Sequence, residues 1–308
     1  MTKTLLAIAL SGLALAGCSS SDTDASDTAS PSPATTVVAS HYPVQFLVEQ
    51  VGGDLVDVET LTAPGTEPHD LELTPQQVGE VQEASAVFYI GEFQPAVDDA
   101  VAEASGTAID LSAGLPLLEG GDHEHAEGEE HAEGEEHSGV DPHVWLDPVL
   151  MQQMATTVAD TLAETDPDNA QTFQDNAAAL TEELATLNTE WEQGTTTCEI
   201  KTMVVSHEAF GYLANQYGFE QKGIAGLTPE TEPSAAAIAE LADFVKNNGI
   251  TTVYTETLVD PAVAETVAAE AGVQTAVLDP LEGPPAQGDY LSAMRDNLDT
   301  VMAGQNCS

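Results

Sequence analysis

Residues Asp166–Gln193 read DPDNAQTFQDNAAALTEELATLNTEWEQ. Phe173, Ala177, Leu180, Leu184, Leu187 and Trp191 follow one another at spacings of 4, 3, 4, 3 and 4, which puts all six on one face of a helix. Asp166-Pro167 supplies a start, because proline is tolerated in the first turn. At 1.5 Å per residue such a helix spans roughly 40 Å, about the height of a small domain. β-Branched runs alternate with amphipathic stretches on both sides of it. Before it come strands at Thr35–Ser40, Leu55–Thr62, Ala86–Ile90 and Thr107–Leu111, with helices from Pro43, Thr74-Pro75 and Pro95, and a further helix from Asp147-Pro148. After it the pattern restarts with strands at Lys201–Ser206, Thr251–Thr257 and Gln274–Leu278, a largely extended Phe219–Leu227, and helices over Glu208–Tyr217, from Pro233-Ser234, over Pro261–Ala271 and from Tyr290. A β-α repeat of this kind defaults to a parallel sheet with helices on both faces. The fold class expected is therefore α/β: two β-α lobes with mainly parallel sheets, joined by one long rigid helix.

The N-terminus stands outside that fold. Lys3 precedes a short apolar stretch, Leu5–Ala16, which falls below the roughly 20 residues needed to span a bilayer. It ends in Leu15-Ala16-Gly17-Cys18, which resembles a bacterial lipobox and implies cleavage before Cys18 and a lipid on its thiol. The division expected is a signal peptide over 1–17, a flexible tether over 18–34, an N-terminal lobe over 35–147, a helical region over 148–193 and a C-terminal lobe over 194–308. The chain carries 5 Lys+Arg against 53 Asp+Glu, a net charge of −48. That excludes nucleic acid as a partner, because neutralising phosphates needs clustered cations. Besides Cys18 there are two cysteines, Cys198 and Cys307, and in an exported chain one such pair favours a disulfide.

Three histidines share a context. His69 follows the second strand in Pro68-His69-Asp70, His143 lies in Asp141-Pro142-His143 ahead of a helix, and His207 follows Met203–Ser206 directly. Asp279 follows the Gln274–Leu278 strand. Ligands of open parallel sheets bind at the carboxyl ends of strands, so a cleft between the lobes would bring these four residues around one ion. Three imidazoles and a carboxylate suit Zn²⁺. His41, at another strand end, is expected to cap a helix or line the cleft. Ser206-His207-Glu208-Ala209-Phe210-Gly211 begins like H-E-x-x-H, but Gly211 stands where the second histidine would be. Glu208 and Glu256 read as exposed carboxylates. No P-loop, G-x-G-x-x-G, G-x-S-x-G or C-x-x-C occurs, and no enzyme activity is expected. The tract between Gly120 and Val140 carries two HAEGEE repeats and has no apolar periodicity. Its His123, His125, His131 and His137 would collect Zn²⁺ weakly, without the fixed geometry that gives selectivity.

PGTEPHDLELTP, DPHVWLDP, SHEAFGYLANQYGF, GLTPETEPS and LDPLEG followed by YLSAMRDNL occur in that order, with the spine helix between the second and third. In these the chain resembles the metal-binding class of substrate-binding proteins of bacterial ABC importers, the zinc- and manganese-uptake lipoproteins. The resemblance implies two lobes joined by a rigid helix, with His69, His143 and His207 on the leading ligand positions and Asp279 on the carboxylate position. Manganese and iron members tend to carry Glu at the third position, so His207 points to the zinc branch, which also tends to have a His- and acid-rich loop before the second ligand. It implies further an extracytoplasmic monomer, lipid-anchored to the membrane, that passes Zn²⁺ to the permease of a zinc importer. The alternatives are a manganese or iron member of the same class, or a zinc hydrolase using the same ligands with a metal-bound water.

Overall fold

The computed structural model describes residues 35–104, 106–120, 139–229 and 233–308. Expectations for the signal peptide, the tether, Cys18 and the histidines of the 121–138 tract fall outside the described residues.

The two α/β lobes are present, and each is built on a four-stranded sheet with every pairing parallel. In the first lobe β1 (Thr35–Ala39), α1 (Tyr42–Gly52), β2 (Val56–Thr60), α2 (Pro75–Glu83), β3 (Ala86–Tyr89), α3 (Pro95–Glu103) and β4 (Thr107–Asp110) give the order β2-β1-β3-β4. Two helices follow, α4 (Pro148–Thr165) and α5 (Ala170–Thr195). The second lobe contains β5 (Thr202–Val205), α6 (Gly211–Tyr217), β6 (Glu220–Gly223), α7 (Ala235–Asn247), β7 (Thr252–Thr255), α8 (Ala262–Ala271), β8 (Gln274–Val277) and α9 (Tyr290–Gly304). Its order, β6-β5-β7-β8, repeats the first.

The spine is α5, 26 residues long, and its buried residues Phe173, Ala177, Leu180, Leu184, Leu187 and Trp191 are the six of the predicted stripe. It packs against α4, α1 and α9, so elements of both halves meet on it. One central core joins the inner faces of both sheets to these helices, while smaller cores under α2 and α3 and under α7 and α8 cover the outer faces. The Asp166-Pro167 start differs from expectation: residues 167–169 form a single tight 3₁₀ turn, with Asn169 Nδ2 donating to Asp166 Oδ2. Residues 208–210, expected as the first turn of a helix, belong instead to a turn in which Glu208 N donates to Gly226 O, and α6 begins only at Gly211. Cys198 and Cys307 form a disulfide that ties the end of α5 to the end of α9. Among the described residues no helix is long and apolar enough to cross a membrane.

Candidate metal centre

Each lobe delivers chemistry from the carboxyl ends of its strands. His69 lies in the connection from β2 to α2, whose far end is fixed by a capping box between Thr74 and Gln77. His143 is held at the entry to α4 by a short 3₁₀ turn over Val144–Leu146, and Asp147 then caps α4 by accepting from Val149 N. His207 lies two residues past the end of β5. These three imidazoles converge with a fourth residue, Glu282, and one donor atom from each lies within 4.8 Å of all the others.

The separations have the dimensions of a coordination shell. Glu282 Oε1 lies 3.2 Å from His69 Nε2, 3.6 Å from His143 Nε2 and 3.2 Å from His207 Nε2. His143 Nε2 lies 3.4 Å from the Nε2 atoms of both His69 and His207. A regular tetrahedron with arms of about 2.0–2.1 Å, the usual Zn–N length, has edges of about 3.3–3.4 Å. Five edges of the site bracket that value.

The carboxylate in this shell is Glu282 and not the expected Asp279. Asp279 Oδ1 is turned inward on its own loop, accepting from Leu281 N at 2.8 Å and Thr257 Oγ1 at 3.2 Å. Leu281 has φ +57°, the left-handed region, and this reversal swings the next residue into the cleft.

Two ligands are clamped from behind. Asp141 Oδ1 accepts from both the backbone N–H of His143 at 2.9 Å and its Nδ1 at 2.7 Å. Glu256 accepts from His207 N at 2.9 Å and from its Nδ1 at 2.7 Å. A carboxylate only accepts, so in both rings a hydrogen sits on Nδ1, and once the ring is neutral its Nε2 lone pair faces the site. Glu256 is therefore buried and positional, not the exposed carboxylate the sequence suggested. Its place after β7 was the available signal. Glu208 is likewise occupied, accepting from Gly223 N. The absent second histidine of H-E-x-x-H also has a steric reason. A Cβ on Gly211 would stand 2.3 Å from Asp141 Oδ2, so any side chain there would collide with the group that orients His143.

The electrostatics follow from this packing. Burial disfavours charge on all three imidazoles, and for His69 it prevails, lowering the pKa to about 4. For His207 burial is outweighed by Glu256 and Glu282, which push it up to about 10. His143 is also raised, because hydrogen bonding to Asp141 and Glu282 overcomes the same burial. Burial works against the Glu282 charge too, yet hydrogen bonds from the three histidines hold its carboxyl well below the usual range. His41 is fully buried behind the site, 4.7 Å from Phe93 and from Trp145 between ring centroids, and burial lowers it to about 3. It occupies the position ahead of α1 but makes no side-chain cap. It forms the wall behind the ligands and is not one of them.

The residues that flank the His- and acid-rich tract meet just ahead of His143. Glu119 and Val140 pair antiparallel, Gly120 N donates to Gly139 O, and Asp141 N donates to Leu118 O. Tyr212 of α6 joins both arms, its hydroxyl accepting from Leu118 N and donating to Asp141 O.

Comparison with known proteins gives one answer. Residues 37–304 match the family model described as zinc-uptake complex component A periplasmic (ZnuA). The zinc-binding lipoprotein AdcA of Streptococcus pneumoniae strain R6 is 36% identical over 274 residues, covering 85% of this chain and 54% of that protein. The high-affinity zinc uptake system protein ZnuA of Bacillus subtilis strain 168 is 34% identical over 274 residues, covering 86% of each. Among solved structures, the Zn(II)-bound ZnuA-like domain of S. pneumoniae AdcA matches with a TM-score of 0.74 at 34% identity, over 89% of this chain and 99% of that one. The laminin-binding protein of Streptococcus agalactiae, described as having adhesin and metal-transporting activity, matches with a TM-score of 0.78 at 30% identity, over 88% and 99%. The chain thus spans about half the length of the AdcA relatives.

Proposed function

Because the chain belongs to the ZnuA family of periplasmic zinc-uptake components, we propose that it captures Zn²⁺ outside the cytoplasm and delivers it to an ABC permease. The observation that carries this reading is the set of five donor–donor separations between 3.2 and 3.6 Å among His69, His143, His207 and Glu282. Three borderline nitrogen donors and one oxygen suit zinc better than the oxygen-rich shells that manganese favours. Four protein donors close a tetrahedron, whereas a hydrolytic zinc site keeps one corner for water and places a base beside it. The neighbouring carboxylates Asp141 and Glu256 are already engaged with ligand rings. A carrier, not an enzyme, is the reading this supports. The Leu15–Cys18 lipobox, together with the lipoprotein description of the AdcA relatives, supports a lipid anchor on Cys18.

The test is a competition titration of metal-free protein against a chromogenic chelator, with Zn²⁺ and Mn²⁺ in parallel. One tight Zn²⁺ per chain is expected, abolished by His143→Ala or His207→Ala and preferred over Mn²⁺ by orders of magnitude. Preference for Mn²⁺, or turnover of ester, peptide or phosphate substrates by the zinc-loaded protein, would overturn the proposal.

A further inference from the structure

The turn that presents Glu282 holds a conformation its sequence does not favour. Leu281 is fully buried at φ +57°, a region that L-residues with a Cβ occupy only when their surroundings over-determine it. Three contacts do so. Asn297 of α9 clips the start of the turn, accepting from Asp279 N at 2.9 Å and donating through Nδ2 to Asp279 O at 2.7 Å. Asp279 Oδ1 accepts from Leu281 N across the turn. The third contact comes from the other ligand segment: Trp145 Nε1 donates to Pro280 O at 2.8 Å.

We propose that Trp145 is a positioning residue for Glu282, its indole fixing the ligand-bearing turn against the segment that carries His143. Trp145 follows His143 by two residues and is completely buried. Its backbone carbonyl accepts from the Tyr290 hydroxyl at 2.6 Å, which anchors the main chain that carries the indole. His143 is oriented independently by Asp141. The Trp145 N–H therefore acts through the backbone of the turn and sets where the Glu282 carboxylate stands relative to His143. Asn297 serves the same turn from α9.

This rests on the proposed function, and the experiment separates the two. Zn²⁺ affinity is measured on the full chain as a double-mutant cycle, because an effect that runs through one ligand disappears when that ligand is removed. Trp145→Phe keeps an aromatic ring and removes the N–H. It is expected to weaken Zn²⁺ binding by roughly ten- to a hundredfold, the usual cost of an outer-shell partner. In a Glu282→Ala background, which removes the ligand, the same change should cost less than about twofold, while in a His69→Ala background it should keep its full cost. Asn297→Asp, which retains the acceptor for Asp279 N–H and loses the donor, should follow the same pattern and carries the comparison if Trp145→Phe does not fold. Equal losses in the wild-type and Glu282→Ala backgrounds would overturn the proposal, since a general packing defect is additive. Failure of the wild-type chain to bind one Zn²⁺ would instead sink the proposed function.

Discussion

Glu282→Gln and Asp279→Asn form a pair whose outcomes differ sharply. Glu282 Oε1 lies within 3.6 Å of all three ligand nitrogens, so an ion at their centre takes one full negative charge from this residue. Glutamine preserves the shape and a carbonyl oxygen but removes the charge from a site with almost no solvent exposure. Breaking one partner out of a buried charge pair costs about 3–5 kcal/mol, because the other charge stays buried and uncompensated. At about 1.4 kcal/mol per tenfold, Glu282→Gln should weaken Zn²⁺ binding by a hundredfold or more, toward the lower end because the amide oxygen still coordinates. Asp279→Asn retains the Oδ1 that accepts from Leu281 N and Thr257 Oγ1, so the turn survives and affinity should change by less than about threefold. Competition with a fluorescent chelator at pH 7.5 and fixed ionic strength measures both. The rise in thermal midpoint on adding Zn²⁺ gives an independent reading through ligand linkage. A large loss in Asp279→Asn with near-normal binding by Glu282→Gln would refute the assignment.

Glu256→Gln leaves the His207 ring without its anionic partner, and Zn²⁺ affinity should fall by roughly ten- to a hundredfold by the same titration. Coordination needs neutral imidazoles, and in the metal-free protein His207 is raised to about 10 and His143 is raised, while His69 is lowered to about 4. Protons therefore compete chiefly at two histidines, and between pH 6 and 8 the apparent affinity should climb with pH by between one and two protons' worth; a flat profile measured by calorimetry in matched buffers would contradict the site. The disulfide closes a 109-residue separation, so Cys198→Ser with Cys307→Ser should lower unfolding free energy by about 2–4 kcal/mol in denaturant titrations. Zinc affinity should hardly change, because the bridge lies at the amino ends of the strands and the ligands at their carboxyl ends. Deleting residues 122–137 should leave the tight site intact and remove weaker additional Zn²⁺, counted by equilibrium dialysis.

Much of this centre was legible because its determinants are periodic or local. The 4-3-4-3-4 stripe from Phe173 to Trp191 reports helix burial directly, and His69 and His207 stand where strand ends must place ligands. The carboxylate was misplaced for a physical reason. Asp279 comes first after its strand, but a left-handed Leu281 redirects the chain, and nothing in hydrophobic patterning marks positive φ at a leucine. Glu256 was discounted because the chain is acidic throughout, and composition cannot separate one buried carboxylate from many solvated ones. Its position at the end of β7 carried the information.

The depth of the centre has a kinetic consequence. His143 and His207 are 0% exposed and Glu282 1%, whereas His69 retains 8%. An ion held there would be least screened on the His69 side, where the imidazole side chain is itself only 4% exposed. It cannot be stripped by a chelator that attacks whichever bond is weakest, because three of the four bonds are screened by protein. In this conformation departure would begin at His69, the residue from the first lobe's β2–α2 connection. The rate of that local opening, and not the concentration of whatever accepts the ion, then sets how long each ion resides.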